Sequence, residues 1–319
     1  MTSLSALRVL DISDGVAGAF CTKLLAGFGA EVIKIERAGA GDPLRRHGPF
    51  PDDLPHREKG ALFLYLNTAK KSITLDIAQR TGAIIFRRLV EGVEVVVESF
   101  RPDYLADLGL GYESLARIKP RLVMTSVTPF GQHGPYAGYK ATNLTAFAMG
   151  GQMAVTGEPD REPLKNGGYQ AEYQTGLHAF AATAVAAFSA DATEVGQHID
   201  IAAMECLATM LEPCVSSWAY LKRDIGQRRG NVESTPIAFV HTIQDLLEAP
   251  QFRAHGFFQE IDHPAAGRQT YPGPPFRPEA MPWQAARAPL LGEHNEEIYC
   301  EELGLNRQEL ALLRASGVV

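Results

Sequence analysis

Glu172 stands just ahead of an alanine-rich apolar run, residues 176–190 (GLHAFAATAVAAFSA), which reads as a helix buried all round. The positive end of a helix dipole keeps a carboxylate there ionised and fixes its direction, as a nucleophile requires. Acidic residues are also frequent at helix starts for the dipole alone, so Glu172 by itself assigns no reaction. Ser99, Phe100 and Arg101 follow a valine run, residues 93–97 (VEVVV). Ligands of open α/β sheets bind at the carboxyl ends of strands, and a guanidinium there meets an anionic group. Lys70, Lys71 and Ser72 stand where another strand-like run begins, and the two lysines either flank the same crevice or carry solvated charge. Gly131, Gln132, His133 and Gly134 follow a third run, residues 122–127 (LVMTSV), in a loop that exposes backbone N–H groups to a ligand. His133 is an acid–base candidate, against the plainer reading of a solvent-facing loop histidine.

The first turn invites a dinucleotide reading, because Gly15 and Gly18 follow a strand-like run and open a helix, with Glu36 about twenty residues on. Ala17 and Phe20 occupy places where that fingerprint needs further glycines. A plain strand-to-helix turn is favoured.

These residues need a frame that gathers strand ends, and the hydrophobic pattern supplies one. Strand-like residues 7–12 (LRVLDI), a helical pattern over 20–28 stopped by Gly29, and strand-like residues 31–35 (EVIKI) form a right-handed βαβ unit. The theme repeats with strand 72–77 (SITLDI), an amphipathic helix over 78–90 ended near Gly92, strand 93–97 and strand 122–127. The expected fold is α/β, a doubly wound parallel sheet over residues 1–210. Residues 211–290 read as a linker and a small second unit, irregular over 253–289, where proline, glycine and aromatics crowd together. Residues 291–319 regain helical spacing at Leu303, Leu305, Leu310 and Leu313 and are expected to pack back on a core.

The chain has 319 residues, 45% hydrophobic and 21% charged, an ordinary globular composition too long for one compact core of typical size. A net charge of -7 with scattered basic residues offers no phosphate-tracking stripe, which sets nucleic acid aside. Cys21, Cys206, Cys214 and Cys300 form no CxxC pair or Cys/His cluster, so neither a metal site nor a disulfide framework is expected. Without a signal-like start or a long apolar run, a soluble cytoplasmic protein is expected, with no membrane partner.

Taken together, five stretches resemble the family III CoA-transferases, the CaiB/BaiF family, which includes formyl-CoA transferase, the carnitine-metabolism CoA-transferase and the α-methylacyl-CoA racemases. They are LRVLDISDGVAGAFCTKLLAGFGAEVIKIERAGAGDPLR, LNTAKKSITLDI, VVVESFRPDYLADLGLGYESLARIKPRLVMTSVTPFGQHGPYAGY, TGEPDREPLKNGGYQAEYQTG and RAPLLGEHNEEI, in family order. The resemblance implies a Rossmann-like large domain, a small domain and an interlocked dimer of two threaded chains. It implies acyl-CoA and a small carboxylic acid as substrates, with no tightly bound cofactor and no metal. The family's nucleophile is usually an aspartate framed by a glycine five residues before and another four after. Gly167, Glu172 and Gly176 match that frame with glutamate in the aspartate's place.

By the same resemblance Val16 and Ala17 line the CoA site, Arg37 packs against the adenine, and Lys71 and Ser72 lie by the nucleotide, with Lys70 expected among the CoA-binding residues from its place beside the crevice. Ser99, Phe100, Arg101, Thr128, Phe130 and Gly131 border the pantetheine and thioester, with N–H groups near Gly131 facing the developing oxyanions. Racemase members carry a histidine just before the position of Asn143, and Thr142 stands there, which favours a transferase. Family members place a sizeable small-domain stretch between the segment of Arg229, Gly230 and Asn231 and one like residues 245–251 (DLLEAPQ). Here the two nearly adjoin, so a reduced small domain is expected. The implied function is transfer of CoA from an acyl-CoA to a carboxylic acid through a glutamyl-CoA intermediate. The alternative is a non-catalytic CoA-binding subunit that pairs with a full-length homologue.

Overall fold

The computed structural model describes residues 4–222, 242–278 and 281–319. One sheet holds β1 (Arg8–Asp11), β2 (Glu31–Glu36), β3 (Lys71–Thr74), β4 (Val95–Glu98), β5 (Val123–Thr128) and β6 (Gln197–Ala202). All pairs in it are parallel, in the order β3-β2-β1-β4-β5-β6. The strand order reverses between β1 and β4, where the loops diverge and leave a crevice at the carboxyl ends. The early helices are α1 (Val16–Gly27), α2 (Ala61–Leu66), α3 (Arg80–Glu91), α4 (Tyr104–Asp107) and α5 (Tyr112–Ala116). They are followed by α6 (Asn143–Met149), α7 (Gln170–Thr193), α8 (Ala203–Thr209), α9 (Glu212–Leu221), α10 (Ile243–Glu248), α11 (Pro250–Ala254) and α12 (Arg307–Ala315).

Strands β1 to β5 are buried on both faces, which is why they read as largely apolar, β-branched runs, whereas the edge strand β6 is mostly exposed. Leu10, Ile33, Ile73 and Val96 meet Ile85, Phe86 and Leu89 of α3 on one face, joined by Ile298, Tyr299 and Leu310 of the C-terminal segment. Tyr299 Oη donates to Thr74 O at 2.7 Å, and Thr74 N donates to Asn295 Oδ1 at 2.9 Å, which ties that segment to β3. On the other face Val9, Val32, Val95 and Val123 meet Cys21 and Leu25 of α1 and Ala179, Ala186 and Ala190 of α7.

Three expectations are corrected here. α7 starts at Gln170, so Glu172 lies inside its first turn rather than ahead of the helix. Nor is α7 buried all round: Leu177, Val185 and Phe188 form an exposed stripe, with Phe188 78% accessible. Alanine marks no preferred face, so an alanine-rich composition exaggerates burial. The region over 211–290 is more regular than its texture suggests, since β7 (Phe258–His263) and β8 (Gly267–Pro272) form an antiparallel hairpin. Arg229, Gly230 and Asn231 lie outside the described residues. Among the described residues no helix is long and apolar enough to cross a membrane.

Candidate active site

A buried ion cluster shapes the loop after β1. Asp11 Oδ1 accepts from Ser13 N at 3.0 Å and Ser13 Oγ at 2.6 Å. Its Oδ2 accepts from Thr22 Oγ1 at 2.7 Å and Lys70 Nζ at 3.0 Å. Lys34 Nζ donates to Ser13 O at 2.9 Å and pairs with Asp42 at 2.8 Å. Burial opposes ionisation of Asp11, but Lys34 and Lys70 prevail and hold its carboxyl well below the usual range. Gly15, at φ 84°, then turns the chain into α1, a conformation that suits a residue without a Cβ. Across the switch point Ser99 Oγ accepts from Asp14 N at 2.8 Å and donates to Asp14 O at 2.9 Å, locking the end of β4 to that of β1.

Two cavities share Asp14. The larger, of about 490 Å³, is lined by Arg37, Phe100, Arg101, Tyr104, Glu36 and Asp76 among others. The smaller, of about 240 Å³, is lined by Val16, Ala17, Ser99, Thr128, Thr142, Glu172 and mostly small apolar side chains. The first N–H groups of a helix have no intrahelical partner, and those of α1, whose Gly15 cap offers no side chain, border the cavity that holds Glu172. Asn143 Nδ2 donates to Glu172 Oε2. Thr128 Oγ1 is buried without a hydrogen-bond partner among the described residues. Burial pushes the Asp14 carboxyl up, against the pull of Arg37, with which it pairs.

Val16, Ala17, Ser99, Thr128 and Glu172 therefore converge on the small cavity, and Arg37, Phe100 and Arg101 on the large one. Phe130 and Gly131 line neither: Phe130 is buried against Tyr136 and Tyr139, and a Cβ on Gly131 would lie 3.3 Å from Asp200 Oδ2. His133 lines a third cavity, of about 450 Å³, with Glu98, Ser126 and His198, which shares Arg101 with the larger one.

The expectation that Lys70 and Lys71 flank the carboxyl-edge crevice is corrected. Lys70 is buried, donating to Asp11, Ala19 O, Thr22 and Asn67 at 2.7–3.0 Å, because it neutralises the loop cluster from inside. Lys71 opens β3, at the amino edge of the sheet, and pairs with Glu31 and Glu297. Ser72 Oγ donates to Glu36 Oε1 at 2.6 Å, a carboxylate that also holds the buried Arg45. Of the four expected cations, only Arg37 and Arg101 stand at the carboxyl edge.

Sequence reasoning missed Asp14 and used Asn143 only as a landmark. Asp14 has a usable signal, since it follows directly on the β1 end at the switch point. Asn143 has none, because the residue it touches lies 29 positions away. Thr142, where racemase members carry histidine, is a helix cap: its side chain accepts from Thr145 N, and that of Thr145 accepts from Thr142 N.

Fold and site define a doubly wound α/β protein with two adjoining cavities at the switch point and a carboxylate presented at a helix start in one of them. The chain belongs to CoA-transferase family III, whose profile matches residues 4–235 and 227–295. It is 38% identical over 385 aligned residues to the Thauera aromatica protein named succinyl-CoA:(R)-benzylsuccinate CoA-transferase subunit BbsE, covering 93% of each chain. It is 27% identical over 417 residues to a Streptomyces coelicolor formyl-CoA:oxalate CoA-transferase, covering 99% of each. A solved CaiB/BaiF family protein from Brucella suis is similar at a TM-score of 0.85 and 27% identity, covering 94% of this chain and 99% of that one. Both alignments, of 385 and 417 positions, are longer than the 319 residues of this chain, so those relatives carry residues without a counterpart here.

Proposed function

We propose that the protein transfers coenzyme A from an acyl-CoA to a carboxylic acid through a covalent glutamyl-CoA at Glu172. The observation that carries this reading is the position of Glu172, in a small cavity that shares Asp14 with a larger one bearing Arg37 and Arg101. The nucleotide lies in the larger cavity, where the two guanidiniums meet its phosphates and adenine, and the pantetheine passes Asp14 and Ser99 toward Glu172. The Glu172 carboxylate attacks the donor thioester carbonyl, giving a mixed anhydride and CoA thiolate. The thiolate returns to the glutamyl carbon and expels the donor acid, and the acceptor carboxylate runs the sequence in reverse. The free N–H groups opening α1, rather than those near Gly131, face the oxyanion on the acyl carbon. Neither metal nor redox cofactor takes part.

In the same reading residues 1–210 are the CoA-binding domain, 211–290 a linker with a reduced small domain, and 291–319 a segment that returns to a large domain. The two-piece family match and the longer alignments support the reduction. A cytoplasmic, interlocked dimer completes it, and the exposed Leu177, Val185 and Phe188 stripe of α7 is consistent with cover by a second chain. A folded, monodisperse monomer in light scattering contradicts that assembly.

One observation favours a second reading, a CoA-binding subunit of a heteromer: the Thauera relative is named as a subunit. A racemase is disfavoured, because Thr142 is a helix cap where a proton-transfer histidine is needed. Incubation with succinyl-CoA and a panel of short acyl-CoA thioesters, followed by hydroxylamine, separates the readings. The transferase yields a hydroxamate at Glu172 by peptide mass. CoA binding without any adduct favours the subunit.

A further inference from the structure

We propose that Asn143 is a second catalytic residue of this site, the donor that holds the oxyanion formed on the Glu172 carboxyl carbon. The proposal rests on Glu172 being the covalent nucleophile. Asn143 opens α6, and the reciprocal bonds of Thr142 and Thr145 fix that helix start. From there its Nδ2 donates to Glu172 Oε2. The amide presents nitrogen by necessity, because an ionised carboxylate only accepts and the amide oxygen is repelled by it. Asn143 Oδ1, by contrast, is buried and has no hydrogen-bond partner among the described residues. Burying half an amide unsatisfied costs stability, and such departures concentrate where function requires them.

The bond decides which oxygen does what. With Oε2 held, Oε1 is the oxygen that attacks the donor thioester, so Oε2 becomes the carbonyl oxygen of the glutamyl anhydride and then of the glutamyl-CoA thioester. When CoA thiolate attacks the anhydride at the glutamyl carbon, a C–S bond forms and the carbonyl π pair moves onto Oε2. Its return expels the donor carboxylate. When the acceptor carboxylate attacks the glutamyl thioester, a C–O bond forms, the π pair again moves onto Oε2, and its return expels CoA thiolate. The thiolate then attacks the acyl carbonyl of that anhydride, releasing the new acyl-CoA and the Glu172 carboxylate. Asn143 Nδ2–H thus meets a charge spread over two oxygens at rest and a charge concentrated on Oε2 in both tetrahedral states. The bond is strongest where the barrier lies.

Rapid-quench mass spectrometry of glutamyl-CoA formation, beside steady-state kinetics, tests the assignment. Asn143→Ala is expected to lower kcat and the rate of adduct formation by about 100- to 1,000-fold, with the KM for acyl-CoA changed less than about threefold. Asn143→Asp keeps the shape but accepts only. It is expected to be as slow at alkaline pH and to recover relative to the parent as pH falls, when the new carboxyl gains a donor proton. Asn143→Ala with parental kcat, or with only a raised KM, overturns the assignment while leaving Glu172 in place. Should the alanine variant fail to fold, the pH profile of Asn143→Asp decides, and parallel profiles for variant and parent overturn it. A parent that forms no adduct with any acyl-CoA overturns both this role and the transferase reading.

Discussion

Gly176 lies against the backbone carbonyl of Ala17, so close that a Cβ at residue 176 would come within 2.5 Å of that oxygen. Helix α1, whose first residues border the cavity that holds Glu172, and helix α7, which carries Glu172 one turn before Gly176, are therefore held in backbone contact. Gly176→Ala is expected to push the helices apart, lower the unfolding free energy by about 1–3 kcal/mol, and slow transfer by moving Glu172 off line. Gly167, the other glycine of the frame, has open space where a Cβ would stand. Its alanine variant is expected to stay within about 0.5 kcal/mol of the parent. Urea unfolding and kcat measured on the same samples check both, and equal behaviour of the two variants contradicts the contact.

Glu172 itself separates charge from reach. Glu172→Gln removes the charge with little change of shape, so stability should move by less than about 0.5 kcal/mol while transfer falls by several orders of magnitude. Glu172→Asp keeps the charge and withdraws it by one methylene from Asn143 and from the thioester. A site fitted to the longer side chain loses about 100-fold in kcat from that displacement. Transfer kinetics with a defined donor and acceptor pair provide the readout, and undiminished activity in Glu172→Gln removes the residue from the mechanism.

The four expected cations divide into two kinds. Arg37→Ala and Arg101→Ala are each expected to weaken CoA binding about tenfold, the worth of one charge-assisted hydrogen bond, with little effect on folding. Lys71→Ala removes half-exposed pairs at the far edge of the sheet and is expected to leave CoA affinity unchanged, at a cost of about 0–1 kcal/mol. Lys70→Ala strips a partner from the fully buried Asp11 and is expected to cost about 3–5 kcal/mol. Calorimetry with CoA, run beside denaturant unfolding, distinguishes these outcomes. Loss of CoA affinity in a well-folded Lys71→Ala protein contradicts the division.

The same lysines show what the sequence could carry. Strand runs such as 93–97 were legible because a sheet covered on both faces demands continuous apolar residues, and β1 to β5 fall where those runs lie. β6, with Gln197, His198 and Asp200 in an edge strand, shows no such run and gives no signal. The sequence offers Lys70 as a crevice or surface charge and not as a buried one, because its four partners, Asp11, Ala19, Thr22 and Asn67, meet only in the folded chain. Glu172 is marked as a candidate by the helix start it stands at and, through the family resemblance, by its framing glycines. Its link to Asn143 was not, since a contact across 29 positions leaves no local pattern.

Glu98 ends β4 with a carboxyl only 3% exposed, whose Oε2 accepts from Phe100 N at 2.7 Å and so holds the loop that carries Ser99 and Arg101. Burial pushes it up to about 7 from an ordinary 4.5, with Asp200 adding to the shift and the hydrogen bonds of Ser126 and Phe100 opposing it. Between those two values the folded protein keeps a proton that the unfolded chain has released. The resulting stability is full below the unfolded value and is lost as pH rises through the folded one. Glu98→Gln cannot ionise, and its amide oxygen still accepts from Phe100 N. Relative to the parent, the variant is therefore expected to gain on the order of 3 kcal/mol in unfolding free energy between about pH 5 and pH 8. Urea unfolding of both proteins across that range measures the difference, and a gap that stays constant with pH shows that Glu98 does not titrate there.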